Sequence, residues 1–256
     1  VIMRVPEQSV QAYRNSSLWG GHGYAVVGFE SEIYSSSDFS QDGKVTKLQS
    51  AINGNGIDVV VMGDGYSDRQ IASNKYDDDI HKAVDMLFKE EPYKSFRDHF
   101  NVYQVTAVST GEGYGAGTTA FGGYFGSGTL VGGNHSKVLQ YAQKAIPSTR
   151  LNEALVIVIM NREYYAGTCY MYHPSISSDF GTGVSISYFP LGTDDEMLGQ
   201  LIRHEAGGHG FAKLADEYAY SSMGHIPSSE VSTTKTQQAN WGWWKPKNGK
   251  CIENHL

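Results

Sequence analysis

The chain has 256 residues, 40% of them hydrophobic and 18% charged, with a net charge of −7. These values fit one fair-sized globular domain, or one domain plus part of another, and exclude a disordered segment. The absence of any long basic run argues against nucleic acid as a partner, because phosphate binding needs clustered Lys and Arg.

No stretch approaches the roughly 18 apolar residues of a membrane helix, so no membrane-spanning segment is expected. The opening VIMRVPEQSV lacks a basic region and an apolar run and does not begin with Met. It reads as a trimmed N-terminus rather than a signal peptide. Cys169 and Cys251 make no disulfide framework, and they leave both their pairing and the compartment open.

Residues 1–53 alternate only weakly and read as the tail of a preceding β-rich domain with a linker. Residues 54–256 read as the main domain. Ile57 to Gly63 is a β-branched run suited to a buried strand. Ser67 opens a helical stretch to about Glu91, which Pro92 ends. Asn101 to Val108 is a second strand. Strand, helix and strand in this order predict a parallel crossover. Residues 109–134 are glycine-rich and read as a long surface loop. His135 to Ala145 is a short helix, and Ala154 to Asn161 a third buried strand. Gly183 to Gly192 alternates and ends near Pro190, so it reads as an edge strand. Thr193 and Glu196 have capping-box spacing for a helix with Met197, Leu198, Leu201 and Ile202 on its buried stripe. The fold class is therefore α/β, with a mixed, mostly parallel twisted sheet, an antiparallel edge strand and an active-site helix.

That helix runs into HEAGGHGFAKLADEY, His204 to Tyr218. Catalytic zinc takes imidazole and carboxylate ligands, with three from the protein and one position open. The usual helical solution is H-E-x-x-H, with the histidines one turn apart and the glutamate as general base. Here the second histidine comes one residue late. A regular helix would carry it about 140° round from the first. A one-turn π-bulge at Gly207-Gly208 removes the mismatch and leaves Glu205 as the base. The other solution makes Glu205 and His209 the one-turn pair. The third ligand is Asp216 or its neighbour Glu217, with Asp216 preferred. Zinc of this kind activates a water and polarises the scissile carbonyl. Ser185 to Phe189, with Ser185 and Ser187 on one face, is the candidate strand for pairing with an extended peptide. Tyr218 is a weak candidate for hydrogen-bonding the oxyanion. Cys169, in AGTCYMY, reads as a loop residue outside the ligand set.

HEAGGHGFAKLADEY resembles the signature of the bacterial IgA peptidase family of zinc endopeptidases. GIDVVVMGDGYSDRQI, NVYQVTAVSTGE, AGTCYMYHP and SISYFPLG are similar to further segments of that family. The resemblance covers about residues 40–245. It implies a metzincin-like catalytic domain behind a small β-rich domain, one zinc ion, a polypeptide or glycoprotein substrate and an exported location. By position, it implies His204, His209 and Asp216 as ligands and Glu205 as base. This chain departs from the family pattern by one extra glycine between the histidines. The family also continues past Trp243-Trp244, so the domain is expected to be C-terminally incomplete.

Other features weigh less. GEGYGAG and FGSGTLVGG do not follow a strand and open a helix as phosphate loops do. The acidic YDDDI lacks calcium-loop spacing and reads as a solvated helix face. Trp241, Trp243 and Trp244 read as packing of the tail or as a stacking surface. Two rival functions remain: a non-catalytic zinc-containing binding module, and a zinc amidase acting on cell-wall peptides.

Overall fold

The computed structural model describes residues 2–6, 9–16, 25–29, 34–114, 117–172 and 183–214. Near the N-terminus, β1 (Ile2–Pro6), α1 (Val10–Asn15) and β2 (Ala25–Phe29) form a parallel two-stranded unit. Val5, Val10 and Val26 make its small core.

The main sheet is built from β3 (Val45–Gln49), β4 (Ile57–Asp64), then α2 (Asp68–Ala72), α3 (Lys75–Leu87) and β5 (Phe100–Val105). A short hairpin follows, β6 (Tyr124–Phe125) with β7 (Val131–Gly132), and then α4 (His135–Ala145) and α5 (Ser148–Leu151). The chain continues through β8 (Leu155–Met160), β9 (Thr168–Met171), β10 (Ser185–Pro190) and α6 (Asp195–Ile202). The sheet order is β3-β5-β4-β8-β10-β9. The four inner strands are parallel, and β3 and β9 are antiparallel edges.

The apolar runs of β4 and β8 follow from this position, since inner strands of a sheet covered on both faces have no wet side. Alternate side chains point to opposite faces. Val59, Val61, Leu155, Ile157 and Phe189 meet α3 and α6 on one face. Val60, Met62, Val156, Val158, Ile186 and Tyr188 meet α4 and Phe121 on the other.

From β4 the chain moves outward to β5 by way of α3, and returns to β8 by way of α4 on the opposite face. The strand order reverses between β4 and β8, where doubly wound sheets open a crevice at the strand C-termini. Here the glycine-rich segment fills that place. Asp64, at the end of β4, accepts hydrogen bonds from Phe121 N at 2.8 Å and Gly123 N at 3.1 Å. Ser109 Oγ accepts from Gly65 N and from Ala120 N, both at 2.9 Å.

Several sequence expectations are corrected. Val45–Gln49, read with the N-terminal tail, is the β3 edge of the main sheet. The single helix expected from Ser67 is two helices, separated at Asn74, whose left-handed φ of 67° ends α2's path. The capping box at Ser67 with Gln70 closes α2 as a true start. The glycine-rich stretch is no mere surface loop, since Ala120, Phe121 and Val131 are buried. The edge beside the helix is β9 and not β10. β10 has β8 on one side and β9 on the other, and all six of its residues are buried.

Candidate metal centre

Helix α6 starts one residue later than its sequence suggests. Asp194, not Thr193, is the N-cap, and its carboxylate accepts from Met197 N at 2.8 Å. Leu198, Leu201 and Ile202 seat the helix against the sheet. From Arg203 to Phe211 the backbone is π-helical. The bond from Ala212 N to Gly207 O, 3.0 Å, spans five residues. That pitch brings residues five apart onto one face, as a regular helix does for residues four apart.

The expected departure from α-helical bonding is therefore present, and its effect is visible in the side chains. His204 and His209 meet edge to face, with ring centroids 4.6 Å apart and Nε2 atoms 3.1 Å apart. His209 Nδ1 lies 2.6 Å from Leu214 O. A carbonyl only accepts, so Nδ1 carries the proton and the Nε2 lone pair is left for the other side. The contact exists because the chain turns at Lys213, which has a φ of 56°, and Leu214 N bonds to Gly208 O at 3.0 Å.

Glu205 is 6% exposed and turns toward the start of β9. Gly167 makes room for it, since a Cβ there would overlap the Glu205 carboxylate. A cleft of about 430 Å³ opens beside these groups, lined by Thr129, Tyr165, Gly167, Gln200, His204 and Glu205 among others. Gly167 N donates to Thr129 O at 3.1 Å, so the glycine-rich segment supplies one wall.

Ser185 and Ser187 lie elsewhere than expected. Both are fully buried, and their hydroxyls donate to Gly210 O at 2.8 Å and Glu205 O at 3.0 Å. They support the π segment from below, and a strand with a neighbour on each side has no free edge for a peptide. Cys169 is on a strand, not in a loop. Its Sγ lies 3.3 Å from Ser187 Oγ, and burial pushes the thiol up to about 11. Asp216, Glu217, Tyr218 and Cys251 lie outside the described residues.

The donor set fits zinc as far as it is described. Two ligands at ~2.0–2.1 Å in tetrahedral array stand about 3.3 Å apart, close to the Nε2 separation of 3.1 Å. A hydrogen bond to the far ring nitrogen is the usual support of a ligating histidine. Among the described residues no group of three or more His, Cys, Asp or Glu is placed to hold a metal.

The profile of the IgA peptidase M64 family matches residues 46–245. The chain belongs to this family. The match begins at the second residue of β3 and takes in the rest of the six-stranded sheet and the π segment. An IgA peptidase M64 member is a peptidase, and its substrate is a polypeptide. No curated protein matches the chain. Among the described residues of this peptidase, no helix is long and apolar enough to cross a membrane.

Sequence reasoning missed β9 and the role of Gly167. The signal was present but short: Thr168 and Tyr170, alternate residues in the four after Gly167, are strand-prone.

Proposed function

We propose that this peptidase is a zinc-dependent endopeptidase with Glu205 as general base. The observation that carries the reading is the 3.1 Å approach of the His204 and His209 Nε2 atoms on a π segment, with Glu205 between them in sequence and lining a cleft together with His204. His204 and His209 would hold the metal, with Asp216 as third ligand. Bound zinc supplies Lewis acidity toward the scissile carbonyl and the attacking water. Glu205 takes the proton of that water and delivers it to the leaving amine. Its buried place against Gly167 keeps the carboxylate in one position for both transfers. Tyr218 is the candidate to hydrogen-bond the developing oxyanion.

The substrate lies along β9. Tyr172 N bonds to Val184 O at 2.9 Å, so Thr168, Tyr170 and Tyr172 turn their main chain toward β10. By alternation, Cys169 and Met171 turn theirs outward. An extended peptide or glycoprotein segment pairs there by strand addition and crosses in front of His204 and Glu205. The family resemblance carries an exported location with it, which fractionation of producing cells tests.

Metal analysis of the purified chain decides the metal. One zinc per chain is expected, with occupancy lost in His204→Ala and His209→Ala and peptide cleavage lost with it. Zinc kept in both variants, or cleavage that persists after chelation, rejects the reading.

A further inference from the structure

The π segment is fastened by three side-chain hydroxyls, two from the sheet and one from outside it, each on a different carbonyl. Ser187 Oγ donates to Glu205 O at 3.0 Å, Tyr93 Oη to Gly207 O at 2.6 Å, and Ser185 Oγ to Gly210 O at 2.8 Å. The two serines are fully buried, and Tyr93 is 8% exposed. Each donor would be costly to bury without an acceptor. The three carbonyls begin one residue after His204 and end one residue after His209, so they bracket the histidine pair.

The donors come from two separate parts of the chain. Ser185 and Ser187 alternate on one face of β10, with β9 and β8 fixing that strand on either side. Tyr93 comes from the connection after α3, and its ring packs against Phe100 and Phe211. Gly207 accommodates it, because a Cβ at that position would stand 2.9 Å from the Tyr93 ring. The carbonyl that Tyr93 holds is also the acceptor of the five-residue bond from Ala212 N. The hydroxyl thus acts on one of the bonds that make the segment π-helical.

We infer that Tyr93, Ser185 and Ser187 are positioning residues for the metal centre, holding the backbone in the pitch at which His204 and His209 converge. None of them needs to touch the metal or the substrate. They act through the backbone on which the imidazoles ride, since a return to regular pitch would swing residue 209 about 140° away from residue 204. This inference rests on the zinc reading above, and the two can fail separately.

The test uses the full chain, with Tyr93→Phe and Ser187→Ala compared with Tyr66→Phe. Tyr66 is a buried tyrosine of the same core whose hydroxyl donates to Asp79 at 2.9 Å, away from the π segment. Zinc affinity is read by competition with a chromophoric chelator, and site geometry by the visible spectrum of the cobalt(II) form. Tyr93→Phe and Ser187→Ala are expected to weaken zinc binding ~10–100-fold, the usual effect of losing a partner behind the ligands, and to change the cobalt spectrum. Their metal-free melting midpoints should fall by only ~2–4 °C, and that of Tyr66→Phe by a similar amount. Tyr66→Phe should keep wild-type zinc affinity. Wild-type zinc affinity and cobalt spectrum in Tyr93→Phe would overturn the inference, as would an equal affinity loss in Tyr66→Phe. If Ser187→Ala does not fold, Tyr93→Phe decides alone, because it keeps the ring in place. A wild-type chain that takes up no zinc overturns the metal reading and this inference together.

Discussion

Two carboxylates are buried at the same sheet, and their surroundings give them different work. Asp64, at the end of β4, is wholly shielded, and its two oxygens accept from Phe121 N and Gly123 N. It closes the crevice that a doubly wound sheet would open between β4 and β8. Glu205, at the β9 edge, is almost as buried, yet it lines an open cleft beside His204. Burial alone therefore does not mark a chemical carboxylate. What separates the two is their surroundings: the Asp64 oxygens face the backbone of the glycine-rich segment, whereas space for a reacting group lies in front of Glu205. In this fold the expected ligand crevice is plugged, and the candidate site has moved three strands outward to the edge.

The largest expected effect tests the edge carboxylate. Glu205→Gln should lower turnover by ~10²–10⁴-fold, since the amide cannot take a proton, while zinc content stays at the wild-type level. Zinc loss in this variant, with zinc kept in His204→Ala, would make Glu205 a ligand and break the contrast with Asp64.

Next comes the space that Gly167 leaves. Gly167→Ala puts a methyl group where the Glu205 carboxylate now lies. A displacement on the order of 1 Å typically costs ~10²-fold, so turnover should fall with melting little changed. Unaltered turnover would mean that the carboxylate works from another position.

The smallest effect on chemistry belongs to Asp64→Asn, which should leave zinc affinity and turnover per folded molecule unchanged. The amide offers one acceptor where the carboxylate offers two, and an unpaired buried N–H costs ~1–3 kcal/mol. Burial, opposed by the backbone donors, raises the Asp64 carboxyl to about 6 from 3.8. A carboxyl raised in the folded state favours folding below its unfolded value and loses that contribution as pH rises through the folded one. The stability advantage of wild type over Asp64→Asn should thus be greatest near pH ~4 and shrink toward pH ~7. Denaturant titrations across that range would show it. An advantage that grows with pH would mean that the N–H donors outweigh desolvation.

Much of this architecture is legible in the residues themselves. The runs at β4 and β8 are continuous and apolar because inner parallel strands are covered on both faces. The five-residue interval between His204 and His209 forecasts the π pitch, because no regular helix brings those positions together. The alternation in β10 misleads. Its serines look like a wet face, but they are turned inward to satisfy carbonyls of the π segment lying across the strand. A polar residue in a strand signals exposure only when no backbone acceptor is packed against it, and packing is not written in local sequence. β9 escapes notice because four residues carry too little periodicity to stand out. The break at Asn74 depends on a left-handed backbone state that asparagine tolerates but does not announce.

The shortness of β9 sets a ceiling on how tightly main-chain pairing alone can hold a guest. Within β9, Cys169 and Met171 turn their main chain away from β10, and among the described residues no main-chain partner takes up the N–H and C=O that each carries there. Four such hydrogen bonds, at ~0.5–1.5 kcal/mol net apiece, amount to ~2–6 kcal/mol before any ordering of the guest is counted. That corresponds to an affinity no better than roughly tens of micromolar, and at the low end only tens of millimolar. A polypeptide that reacts here must therefore gain the rest of its hold from its side chains. If β9 receives the backbone as proposed, the enzyme's choice among proteins would be written in the cleft walls around Thr129, Tyr165 and Gln200, not in the strand itself.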